Sequence, residues 1–176
     1  MRTISHIILG ILIFCTTEFY SVQSAIAQDR IYLIGATGIP ELLSLGMRYQ
    51  TGVAQVGFSI GSLPLGDETI VSLMVDGFYH FGFVSDRSSQ GIWYVRVGAD
   101  YLREETDFVR DNYIYSNFRI GRDFNLSDEI TLSVDAGLLI QLYNNRLEKK
   151  SNPGIIDFNF KFPVFPSIGT TIVYRI

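Results

Sequence analysis

From Ile130 to Leu142 the chain alternates. Ile130, Leu132, Val134, Ala136, Leu138, Ile140 and Leu142 form one set, and Thr131, Ser133, Asp135, Gly137, Leu139 and Gln141 the other. A helix would scatter both sets around its surface, whereas a strand sends them to opposite faces. The same rhythm runs through 69–83, where Val71, Leu73, Val75, Gly77, Tyr79, Phe81 and Phe83 oppose Ser72, Met74, Asp76, Phe78, His80 and Gly82. In 91–103, Trp93, Val95, Val97, Ala99 and Tyr101 oppose Tyr94, Arg96, Gly98 and Asp100. Extended along the chain, the alternation predicts eight strands, over 31–37, 43–50, 53–61, 69–83, 91–103, 111–122, 129–143 and 167–176. Several approach or exceed the roughly 9–11 residues with which a tilted strand crosses a bilayer.

The charges decide which side is which. No Lys, Arg, Asp or Glu interrupts the apolar faces just named, while the opposite faces carry Arg48, Asp76, His80, Arg96, Asp100, Arg119 and Asp135. A water-soluble barrel turns its apolar face inward and its charges, lysines prominent among them, to solvent. Here the three lysines, Lys149, Lys150 and Lys161, all fall in the long connection before the last strand. Both signs occur on the polar faces, as a narrow lumen requires, because an unpaired buried charge is costly. The expected fold is therefore all-β: a closed, antiparallel, up-and-down transmembrane β-barrel of eight strands, with those seven residues as a lumen charge network. Tyr49, Tyr79, Phe81, Trp93 and Tyr174 fall near one end of the outward faces, where amphipathic rings favour a membrane–water interface. Three charged residues are followed two positions later by glycine, in Arg96-Val97-Gly98, Arg119-Ile120-Gly121 and Asp135-Ala136-Gly137. Glycine there either makes room in a crowded lumen or relieves wall curvature. A net charge of −4 argues against nucleic acid as a partner, which needs a basic face.

The first residues read as a targeting segment. Arg2 precedes the apolar run Ile7 to Phe14, and Ala25-Ile26-Ala27 has the small-x-small form of a cleavage site. Residues 1–27 are expected to be a removed signal peptide and 28–176 the barrel domain. The lone cysteine, Cys15, falls inside that signal, so neither a disulfide nor a thiolate metal site is expected in the remainder.

The chain ends on Ile168-Gly169-Thr170-Thr171-Ile172-Val173-Tyr174-Arg175-Ile176. With the alternation before it, this strand resembles the small bacterial outer-membrane β-barrel proteins, the porin-like outer membrane beta-barrel domain families. Members typically end on an alternating strand with an aromatic last residue and often a tyrosine two before it. Ile172 and Tyr174 match; Ile176 is aliphatic where phenylalanine is usual. The resemblance implies the outer membrane of a Gram-negative cell, contact with outer-membrane lipid, and recognition by the barrel assembly machinery through Ile172, Tyr174 and Ile176.

Chemistry-bearing constellations are sparse. His80 shares a strand face with Ser72 and Asp76, which sets them in a line rather than in a converging triad; a lipid-modifying enzyme is thus disfavoured. Glu104, Glu105, Asp107 and Asp111 make an acidic connection flanked by Arg103 and Arg110; it lacks the spacing of a calcium loop and reads as a solvated, partly self-paired turn. No metal or cofactor is expected. In the long connection Ile156, Phe158, Phe160 and Phe162 alternate with Asp157, Asn159 and Lys161. They form the candidate interaction loop for an extracellular or membrane protein partner, against the plainer reading that they pack on other loops or continue the wall. The expected role is structural or interactive, with a charge-filled, closed lumen. A narrow pore for small solutes is the second reading, disfavoured because eight strands leave room only for side chains.

Overall fold

The computed structural model describes residues 30–65, 68–84, 90–105, 109–148 and 163–176. Eight strands follow in chain order: β1 (Arg30–Ile39), β2 (Leu42–Thr51), β3 (Ala54–Leu65), β4 (Glu68–Val84), β5 (Gly91–Glu105), β6 (Val109–Asn125), β7 (Ile130–Glu148) and β8 (Val164–Arg175). Each pairs antiparallel with the next, and β8 pairs with β1, so the sheet closes into an up-and-down barrel. All eight strands expected from the alternation are present. The upper ends of β6 and β7 run past the expected limits because Arg110 pairs with Leu147 and Asp111 with Arg146; cross-strand bonding carries polar residues that alternation alone would assign to a loop. β8 begins at Val164, so Pro166 lies within it, above the last β1–β8 pair, Ile39 with Ile168. There its strand has one neighbour, a position that tolerates a missing N–H. Residues 1–27, expected to be a signal peptide, lie outside the described residues.

The register fixes the tilt. One row of paired residues runs from Trp93 through Arg122, Val134, Thr170, Thr37, Leu43, Ser62 and Val71, and returns to β5 at Arg103, ten residues on. With strands about 4.8 Å apart and about 3.3 Å per residue, this offset tilts the strands by about 40°. Each residue then moves about 2.5 Å along the barrel axis, and each step along the row about 3 Å. Trp93 and Arg103 stand about 25 Å apart in height on this geometry. The end nearer Trp93, where the described chain starts and stops, is called the lower end below.

Facing follows the alternation. Leu45 is 73% exposed while its neighbour Ser44 is 2% exposed. Leu43, Met47, Val56, Phe58, Ile60, Val75, Val97, Phe118, Ile120, Leu138, Ile168 and Ile172 all point outward. Buried apolar contact is slight, with Tyr32, Ile34 and Val173 forming one small cluster. The barrel is therefore polar within and apolar without.

Candidate functional site: the charge-filled lumen

The register stacks the inward side chains in tiers. Arg96, Asp76, Asp135 and Arg119 fall within about 4 Å of one another in height, some 7–11 Å above Trp93. Arg119 donates to Asp135 Oδ1 at 2.7 Å. Arg96 donates through Nη2 to Asp76 Oδ2 at 2.8 Å and through Nη1 to Asp135 Oδ2 at 3.4 Å. Tyr94 Oη donates to Asp135 Oδ2 at 2.9 Å. All five are buried, Arg119 and Tyr94 completely.

The centre of this tier is a residue that sequence reasoning missed. Glu41 lies in the turn between β1 and β2 and is 2% exposed. Its carboxylate accepts from Arg96 Nη1 at 2.6 Å and from Arg119 Nη1 and Nη2 at 2.5 and 2.8 Å. Arg119 Nη2 also reaches the Ile39 carbonyl at 2.6 Å. The β1–β2 hairpin is the reason: its top stands about 7 Å below the height of Arg103, so the turn folds into the barrel mouth instead of projecting above it. Ser72 Oγ and Ser167 Oγ hold the turn by donating to the carbonyls of Glu41 and Ile39, at 3.4 and 2.6 Å. Leu42 adopts a left-handed φ of 61° to turn the chain back. Gly61 leaves the space: a Cβ there would overlap the Glu41 carbonyl.

Three of the expected network residues do not join these ion pairs. Asp100 is 1% exposed and accepts from Asn117 Nδ2 at 2.8 Å, while the same nitrogen donates to Asp76 Oδ1 at 3.0 Å. Asn117, which the expected network did not include, thus stands between two of its carboxylates. Arg48 is buried yet makes no ion pair among the described residues; its guanidinium lies 4.1 Å from the Phe78 ring centroid. His80 Nε2 lies 3.2 Å from Asp123 Oδ2, in a lower tier.

Asp123 in turn accepts from Ser133 Oγ at 2.6 Å. The carboxylate sits between serine and histidine, so among the described residues no hydroxyl bonds the imidazole; a nucleophilic triad needs the histidine in the middle. Ser72 bonds the Glu41 carbonyl instead. The glycines divide. A Cβ at Gly98 would overlap the Asp76 carboxylate and one at Gly121 the Tyr94 ring, so both make room in the lumen, whereas Gly137 meets the Phe118 backbone in the wall. At the upper rim Glu105 accepts from Arg103 and, at 2.8 Å, from Arg110; Asp107 lies outside the described residues, as do Ile156, Phe158, Phe160 and Phe162. The chain matches no family model, no curated protein and no solved structure. Its reading therefore rests on its own geometry. That geometry is a lumen crossed about 7–11 Å above the level of Trp93 by a buried cluster of two arginines and three carboxylates, with Asn117 and Asp100 above it and His80 and Asp123 below.

Proposed function

We propose that this chain is an outer-membrane barrel that spans the bilayer with its lumen closed, serving as a structural or interaction platform rather than as a conduit. The observation that carries the reading is the outward belt. Between the levels of Trp93 and Arg103 the wall presents aliphatic and aromatic side chains, with Arg122 the only charged residue facing outward among the described residues of that belt. On β5 the belt is about 25 Å tall, the height of the apolar band of outer-membrane barrels, and on the β1–β2 side the wall ends about 7 Å lower. Tyr49, Tyr79, Phe81, Trp93, Phe124 and Tyr174 all face outward and lie within about 3 Å of one level, which makes an aromatic girdle at the lower edge. Outer-membrane lipid is then the principal partner, and Ile172, Tyr174 and Ile176 on the last strand are the proposed signal for the assembly machinery. Export through removal of residues 1–27 belongs to the same proposal.

Closure rests on Glu41, Arg96 and Arg119 meeting across the axis. An ion would have to part at least two of their bonds in a lumen already filled by side chains. Purified protein should fractionate with outer membranes, migrate differently before and after heating in detergent, and give no unitary conductance in a planar bilayer. Steady single-channel currents would overturn the closed lumen, and recovery in the soluble fraction would overturn the membrane placement.

A further inference from the structure

Among the described residues of the belt, one cation breaks the apolar exterior. Arg122 is exposed on the outward face of β6, directly opposite Trp93 on β5 and Val134 on β7. It has no ion pair among the described residues. Its guanidinium carbon lies 5.3 Å from the Trp93 ring centroid and 5.1 Å from that of Phe124.

The backbone of Arg122 stands about 3 Å above Trp93, on the belt side of the girdle, and Phe124 about 2 Å below it. The side chain therefore runs downward, toward the edge of the belt. This is the behaviour of a long cationic side chain that buries its stem and delivers its head to an interface. The two rings hold the guanidinium by cation–π attraction and leave its N–H donors without an acceptor among the described residues. A planar fork of donors at the height where headgroups begin matches phosphate oxygens in geometry and charge.

We propose that Arg122, clamped between Trp93 and Phe124, is a binding site for the phosphate of an anionic phospholipid in the leaflet at the lower end of the barrel. The site rests on the membrane placement proposed above. A lipid phosphate is favoured over a dissolved anion because the donors lie on the outer wall at the girdle, with lipid-facing apolar residues directly above them, and not in the lumen or on a loop.

Trp93 is the only tryptophan of the chain and lies within the site, so its fluorescence reports the lipid beside it. The protein is folded into vesicles of phosphatidylcholine containing either brominated phosphatidylglycerol or brominated phosphatidylcholine, and quenching of Trp93 is compared at equal mole fraction. The expected result is an association preference of about fivefold for phosphatidylglycerol, the value of one interfacial cation. It should be lost in Arg122→Gln, partly kept in Arg122→Lys, and weakened when NaCl is raised from about 50 mM to about 0.5 M. Equal quenching by the two lipids, or a preference that survives Arg122→Gln, overturns the site and leaves the membrane placement standing. Absence of quenching by either lipid overturns the membrane placement, and the site with it. Should Arg122→Gln fail to fold, Arg122→Lys and the salt series decide.

Discussion

Replacing Glu41 by glutamine keeps the shape of the side chain and removes its charge from the middle of the lumen. Three charge-assisted bonds converge on that carboxylate, one from Arg96 and two from Arg119. Breaking a buried ion pair by removing one partner costs about 3–5 kcal/mol. Arg119 keeps Asp135 and the Ile39 carbonyl, and Arg96 keeps Asp76, so Glu41→Gln should fall near the lower limit, about 3 kcal/mol. Arg119→Gln leaves Glu41 and Asp135 with Arg96 as their one shared cation, Asp135 keeping the Tyr94 hydroxyl besides, and should cost about 4 kcal/mol. In the double variant one charge of each sign is gone, and the sum should fall short of additivity by about 2 kcal/mol. Urea titration in detergent micelles, followed by Trp93 fluorescence and far-ultraviolet circular dichroism, measures all four corners of the cycle. Asp100→Asn combined with Arg119→Gln is the control. Asp100 reaches Arg119 only through Asn117, Asp76, Arg96 and Glu41, so that pair should couple distinctly less, by about 0.5–1 kcal/mol. If the Glu41–Arg119 cycle couples no more than this control, the cluster does not act as a unit and the argument for its role in closure fails.

Three further outcomes follow from the packing. Arg48→Met should change stability by no more than about 1 kcal/mol in the same titration, because the guanidinium has an aromatic face and no ion-paired carboxylate among the described residues; a loss like that of an ion-paired arginine would contradict this. Val75→Arg, at mid-height on the outward face, should cost about 2–4 kcal/mol in a bilayer, and Val134→Arg, nearer the girdle, distinctly less; equal costs would contradict the assigned levels. Gly98→Ala should destabilise by about 1–3 kcal/mol through its overlap with Asp76, Asn117 and the Val75 carbonyl, and a companion Asp76→Ala change should relieve the closest of these overlaps, and so part of the cost, in a double-mutant cycle.

The eight strands and their facing were legible because alternation is a local property: Leu45 and Ser44, or Val134 and Asp135, declare their sides without knowledge of any partner. The membership of the central cluster was not. Glu41 follows a proline in a short turn, a setting that makes a polar residue unremarkable in sequence. Its meeting with Arg119 depends on the ten-residue offset around the barrel and on the low hairpin top, which no single strand encodes. Asp123 was within reach: carrying the parity of Arg119 and Gly121 two residues further puts it on the inward face, but its acidic neighbourhood reads as a turn. Arg48 and Asp100 illustrate a different limit. Alternation places them inside, whereas their partners, Phe78 and Asn117, are settled by height along the axis.

The inward turn also bears on how the barrel assembles. Glu41 is separated from Arg96 by 55 residues of chain and from Arg119 by 78, and Ser167 meets Ile39 across 128. Contacts so distant in sequence are the last to recover the entropy of ordering the chain between them. A sheet that has formed β5, β6 and β7 but has not yet met β1 holds Arg96 and Arg119 without their central carboxylate, while its apolar face already favours lipid. The final seam between β1 and β8 brings that carboxylate into place. The cluster thus rewards completion of the ring over any partial sheet, so that unfolding should proceed in one cooperative step in which the loss of the seam and the loss of the lumen contacts coincide.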